Sequence, residues 1–302
     1  MARPDQKRIS VLRENKLVPL LPIGTDLGIT REQPWEGLLL ERHLVKAAEI
    51  PEHEHRDFCI HLQLSGAADF EWWSGGKHRI EKTEPGILIV LPPGTSDRLL
   101  WRGESNRLVL SIQSDQLSSF AADLGCVRVP EFNAKWAVRD HGLRHLITEM
   151  GREAQADWPL GRLYADLLRI GIQSQLLQKY ALERVHVPES TGGLIMPRLR
   201  RALEYITENL ESDLRLENIA RELHLSPFHF AREFRNSTGQ TPYQYLLDQR
   251  MEKAKTLLRI GRDSIQEIAL DCGFSSTVNF TRTFRQRVGE PPGVWRDRAK
   301  HS

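Results

Sequence analysis

The sequence predicts an α+β chain of two domains: an N-terminal domain of short strands with flanking helices, and a C-terminal domain made only of helices. Three observations carry this. From about residue 37 to 112, short apolar or alternating runs recur between turn clusters, as strands do. From about residue 140, apolar residues recur at three- and four-residue spacings, as in amphipathic helices. Residues 216–245 and 265–295 then repeat one another.

The length of 302 residues fits two domains of ordinary size. Hydrophobic residues make up 40 % and charged residues 27 %, so the chain can bury a core. No stretch approaches the ~18 apolar residues of a membrane span. The charged start is followed by no apolar h-region, because the run from Leu17 to Ile23 is broken by Pro19 and Pro22. No signal peptide and a cytoplasmic location are therefore expected. Cys59, Cys126 and Cys272 lack the spacing of a zinc site or a disulfide framework, and read as small buried apolar residues. From Pro197 onward there are 18 Lys+Arg against 14 Asp+Glu, so the C-terminal third is mildly basic, which permits a nucleic-acid partner.

Taken in order, strands are expected over Gly37–Val45, Phe58–Leu64, Ala68–Trp73, Gly86–Leu91, Arg98–Trp101 and Arg107–Ile112. Their spacing suggests a sandwich or barrel. A helix follows over His141–Ala156. Leu160, Leu163, Leu167, Ile170 and Leu177 then stripe a second helix, which either packs on its own domain or pairs with a second subunit. Val187-Pro-Glu-Ser-Thr-Gly-Gly193 reads as a linker. The expected domains are 1–186 and 197–302, with 187–196 between them.

The repeat is the most specific feature. Leu216, Ile219, Ala220 and Leu223 form a stripe that Ile265, Ile268, Ala269 and Cys272 repeat at an offset of 49. The offset then becomes 50, pairing Ser226 with Ser276, Phe230 with Phe280, Arg232 with Arg282, Phe234 with Phe284, Arg235 with Arg285 and Gly239 with Gly289. Each unit reads as a short helix, a turn, a Ser that can cap the next helix, and a second helix ended by Gly. The second helix turns Phe inward and Arg outward. This is a helix-turn-helix, whose second helix enters a DNA major groove. Between the units, Pro242 opens and Gly261 closes a helix of some eighteen residues, a rod of roughly 27 Å. Such a rod could hold two recognition helices in adjacent grooves, about 34 Å apart. A helical repeat used only for packing is the alternative. Two units are few for a solenoid, and both second helices are cationic outward.

The pattern Arg250-x3-Ala254-x2-Leu257-Leu258, Ile265-x2-Ile268-Ala269-x3-Gly273-Phe274, Phe280-x3-Phe284 and Gly289-x2-Pro292-x3-Arg296 resembles the AraC/XylS family of transcription regulators over residues 197–298. His224 departs from it, standing where the family usually has Gly, although His tolerates a left-handed backbone. The resemblance implies a DNA-facing set of Phe228, Ala231 and Arg232 on the first recognition helix. On the second it implies Thr277, Val278, Thr281 and Arg282. Arg232 and Arg282 suit guanine, whereas Arg235, Arg285 and Arg287 suit phosphates.

The strand segment resembles the cupin-type sensor domain common in that family, a β-barrel. His53-Glu-His55 resembles the cupin HxH motif, and Gly86-x5-Pro92-x-Gly94-x2-Asp97 resembles its second motif, with Asp in place of His. Three readings stay open: a two-His, one-carboxylate metal site, a metal-free small-molecule pocket, or plain structural residues. The pocket is the expectation taken forward, lined by His53, His55, His61 and Asp97, with no metal, no cofactor and no catalytic residue. The resemblance therefore implies a DNA-binding regulator under effector control, a homodimer, with double-stranded DNA, a small effector and RNA polymerase as candidate partners. The rival is a cupin-type metal-dependent enzyme with a helical appendage.

Overall fold

The computed structural model describes residues 8–21, 33–35, 37–66, 68–183, 185 and 192–300. The expected linker lies outside the described residues up to position 191. The chain divides into two compact units, one of residues 1–155 with 168–187 and the other of residues 156–167 with 188–302. One of the three boundaries, at 167/168, falls inside a helix.

The first unit holds eleven strands and three helices in the order β1 Ser10–Arg13, β2 Lys16–Pro19, β3 Leu38–Val45, β4 Ala48–Glu54, β5 Phe58–Ser65, β6 Ala68–Ser74, β7 Lys77–Thr83, β8 Leu88–Leu91, β9 Ser96–Trp101, β10 Ser105–Ile112, α1 Ser114–Asp123, β11 Lys135–Val138, α2 His141–Gln155 and α3 Gly161–Lys179, the last shared with the second unit. Six elements were not expected from sequence: β1, β2, β4, β7, β11 and α1. The antiparallel sheets run β2-β1-β4-β9-β6-β7 and β11-β8-β5-β10-β3. Residues of both sheets, among them Val11, Ile50, Phe70, Leu99, Cys59, Ile89 and Val109, share one buried core. Among the described residues no strand pair joins the two sheets, so the expected barrel is not closed there. Edge strand β7 has most of its positions in water and is rich in Lys, Arg and Glu, a composition that discourages further pairing.

The outer face of the five-stranded sheet is covered by α2. Gly151 sits so close to Leu108 of β10 that a Cβ would stand 2.5 Å from it. Of the leucine stripe proposed as a possible pairing surface, Leu163, Ile170 and Leu177 are buried, whereas Leu160 and Leu167 are half-buried. Among the described residues no helix is long and apolar enough to cross a membrane. Cys59 and Cys272 are buried as expected, but Cys126 is only half-buried, and all three are free thiols.

The second unit continues with α4 Met196–Glu208, α5 Leu216–Glu222, α6 Pro227–Thr238, α7 Pro242–Ile260, α8 Ile265–Asp271, α9 Thr277–Val288 and α10 Pro292–Lys300. Here α5 packs on α6, α8 packs on α9, and α7 touches both α6 and α9. Local chemistry sets both ends of α6, α7 and α9 and the start of α8. Ser226 accepts from His229 N–H and Ser276 from Asn279 N–H, each satisfying an orphan donor of the first turn. Thr241 and Ser264 open α7 and α8 with full capping boxes. Gly239, Gly261 and Gly289 close their helices in the left-handed conformation. At the head of α5, Leu216 N–H donates to the buried Asp166 carboxylate of α3, 3.0 Å away. Arg250, buried in α7, donates to the carbonyls of Leu210 and Ser212 at 2.8 and 2.9 Å, fastening the loop after α4 to the central helix.

Candidate nucleic-acid interface and buried polar layer

The two helix-turn-helix units are built alike. In the first, the turn between α5 and α6 passes through His224 at φ 54°, and in the second through Gly273 at φ 75°. His224 thus takes the left-handed backbone its place in the repeat requires. At Gly273 a Cβ would lie 2.3 Å from the Leu210 carbonyl, so this turn admits only glycine.

Phe280, Thr283 and Phe284 face inward from α9, and Phe230 and Phe234 from α6. The opposite face of α9 brings Thr277, Val278, Thr281, Arg282 and Arg285 together along one surface concavity, with Gln286 and Pro291. Val278 is 77 % exposed, unusual for an aliphatic side chain on a helix with so well-packed an inner face. Arg282 and Arg285 are exposed, and the contact of Arg282 with Asn279 Oδ1 is long, at 3.4 Å. On α6, Ala231 and Arg232 are half-buried and Arg235 is exposed.

Phe228 is buried, with the Arg232 guanidinium 5.3 Å from its ring centroid. Pro227 opens α6 and places Phe228 in its first turn, where the ring folds back onto the domain. Arg287 departs from expectation: its guanidinium is ion-paired with Asp248 of α7.

The first unit contains a layer of buried polar side chains between its sheets. His53 on β4 is paired in register with Asp97 on β9, which brings His53, His55 and Asp97 together with ligand atoms within 4.8 Å of one another. His55 Nε2 lies 3.0 Å from Asp97 Oδ2. His53 Nδ1–H donates to the Pro51 carbonyl at 2.8 Å, which leaves Nε2 as a bare lone pair in the neutral ring. That lone pair faces Asp97 Oδ1 at 3.6 Å, and neither atom has a hydrogen-bond partner. Burial pulls the His53 pKa below its ordinary value despite the neighbouring carboxylate. An imidazole whose second nitrogen is tied to a carbonyl, beside a carboxylate, is an arrangement that could hold a divalent cation.

His61 stands apart from these three. Its Nε2 is 3.4 Å from Cys59 Sγ, and burial, then the Arg107 charge, push its pKa well down. Burial holds the Cys59 thiol protonated by raising its pKa. The sequence reading missed Arg107, His43 and Glu41, which share this layer and are almost wholly buried. The available signal was strand alternation. Residues 107 and 109 lie on one face of β10, and Val109 belongs to the shared core, so Arg107 must point inward as well.

A family model described as a helix-turn-helix domain matches residues 219–298. The XylDLEGF operon transcriptional activator of Pseudomonas putida is 26 % identical over 78 % of this chain and 73 % of its own length. The HTH-type transcriptional regulator YobQ of Bacillus subtilis is 22 % identical over 81 % of this chain and 88 % of its own. A crystal structure of a transcriptional regulator from Chromobacterium violaceum, described as an AraC-type DNA-binding domain-containing protein, is 32 % identical over 34 % of this chain and 92 % of that one, with a TM-score of 0.33. The similar proteins are transcriptional regulators, not enzymes. The chain is a DNA-binding transcriptional regulator, and its residues 219–298 match a helix-turn-helix domain.

Proposed function

We propose that α6 and α9 enter two successive major grooves on one face of the duplex, with α7 as the spacer between them. The carrying observation is the gathering of Thr277, Val278, Thr281, Arg282 and Arg285 on the one face of α9 that its phenylalanines leave outward. Arg232 and Arg235 occupy the matching positions of α6. The 19 residues of α7 make a rod of roughly 28 Å, comparable to the separation of adjacent grooves. Arg232 and Arg282 read bases, Thr277, Val278 and Thr281 meet thymine methyls or base edges, and Arg235 and Arg285 meet phosphates.

In this reading the first unit, up to the segment at 187–196, senses a small effector in its buried polar layer. The effector favours one arrangement of the chain by binding it more tightly than the other. RNA polymerase and a second copy of the chain are the further partners. A homodimer is not required for contact with adjacent grooves, because one chain carries both recognition helices.

The test is the salt dependence of binding to duplex DNA selected from a random pool. Neutralising about six phosphates should make affinity fall about 10³-fold between roughly 50 and 200 mM salt. A flat salt response, or no selected sequence, would refute the assignment of α6 and α9.

A second reading concerns the first unit alone. The two facing lone-pair atoms of His53 and Asp97 favour a bound divalent cation there. Protein made without a polyhistidine tag should then take up about one equivalent of added zinc or ferrous iron, and Asp97→Ala should not. Wild-type protein that retains no metal after dialysis removes this reading and leaves the DNA assignment untouched.

A further inference from the structure

Arg107 is completely buried in β10, yet Nε, Nη1 and Nη2 all lack a hydrogen-bond acceptor among the described residues. Its Cζ lies over the Trp101 ring, 4.1 Å from the centroid, a contact that holds the guanidinium without using its N–H groups. Neither carboxylate of the layer is hydrogen-bonded to Arg107. Glu41 accepts from the Ile9 N–H at 2.8 Å and from His43 Nε2 at 2.7 Å, and Asp97 is held by His55. Burial lowers the Arg107 pKa to about 10, which still leaves it charged near neutrality. A buried cation without a counter-charge is among the most costly groups a core can hold.

The neighbouring groups are donors too. With the Cys59 thiol donating to His61 Nε2, the His61 Nδ1 carries its proton, and this buried atom has no acceptor. Trp101 Nε1–H is buried and likewise without one. Around them the inner face is apolar, with Val109, Leu99 and Ile89 in the shared core.

We infer that Arg107 is the anchor of a ligand site between the sheets, and that the site takes a small organic acid whose carboxylate meets the guanidinium edge while its apolar body lies along the core. The inference rests on the effector reading above and names the chemical class of that effector. A carboxylate matches the Arg fork with two parallel charge-assisted bonds, and a guanidinium already stacked in place loses little freedom on binding.

The test uses the full chain and reads its Tm with phenylacetate, hexanoate, phenylacetamide and inorganic phosphate, in wild type and in Arg107→Met. At least one of the two acids should raise the wild-type Tm by about 5 °C or more near saturation, and the amide should not. Arg107→Met should lose that response while its unliganded Tm equals or exceeds that of wild type, since a buried unpaired charge has been removed. No response to either acid, an equal response to the amide, or a clear fall in the unliganded Tm of Arg107→Met would overturn the inference. A response to phosphate alone would overturn the organic-acid assignment in favour of an inorganic oxyanion. DNA affinity measured in the same samples separates the two levels. An acid-induced Tm rise with unchanged DNA binding upholds the site and refutes effector control.

Discussion

Replacing Arg232 and Arg282 together with Ala is expected to weaken specific DNA binding by about 2–6 kcal/mol, about 1–3 for each. The two residues occupy equivalent positions in the repeat, one on α6 and one on α9, so their losses should add closely. Arg282 is exposed and its contact with Asn279 is long, so reorienting toward a guanine costs little. Arg232 starts from a different state, resting over the buried Phe228 ring near His229. That contact pre-orients its guanidinium, and Phe228→Ala should therefore copy part of the Arg232→Ala loss without removing a charge. The measurement is a titration of each variant against the selected site and against single-base variants of it. Relaxed preference at one base pair per arginine marks base reading. An equal loss on every sequence, with a shallower salt slope, would make both arginines phosphate contacts.

A loss of about 3–5 kcal/mol in stability is expected for Phe280→Ala. Phe280 is fully buried, with its ring centroid 5.4 Å from that of Phe274 in the turn before α9 and 5.7 Å from that of Phe284 one turn on. Truncation leaves a cavity where the short helix, the turn and the recognition helix meet. The chain can fill it only by moving α9, whose outer face would lose its shape. The second half of the DNA site should then be lost before the first, because Phe230 and Phe234 hold α6 independently. Chemical denaturation and footprinting of the two half-sites check both parts. A variant that keeps wild-type stability would show that the aromatic cluster does not hold α9 in place.

Much of the second unit could be read from the sequence because its determinants are local. An N-cap serine, a C′ glycine and an apolar stripe act within about one helical turn of the residues they organise. The repeat then shows each signal twice, and even the departure at His224 was foreseeable from backbone preference alone. The burial of Phe228 was not legible, because sequence position names the first turn of a helix but does not say which way the ring folds.

The first unit was harder. Strand β4 was not expected from sequence, and Pro51 lies within its polar run. The structure accommodates it where the β4–β9 register shifts between Ile50 and His53, and the Pro51 carbonyl then receives the His53 proton. The polar run of β7 hid an edge strand, which needs no apolar face of its own. His53, His55 and Asp97 were named as site residues, but only the β4–β9 ladder brings groups more than forty positions apart within reach of one another.

The sequence by itself determined the two helix-turn-helix units, their caps and the outward arginines, since helical order follows from neighbours in the chain. Tertiary structure alone decided how the strands divide between two sheets and which residues of the α3 stripe are buried. It also decided that Arg107 lies buried without an acceptor. These depend on contacts between distant segments, whose pairing and burial no single stretch of sequence encodes.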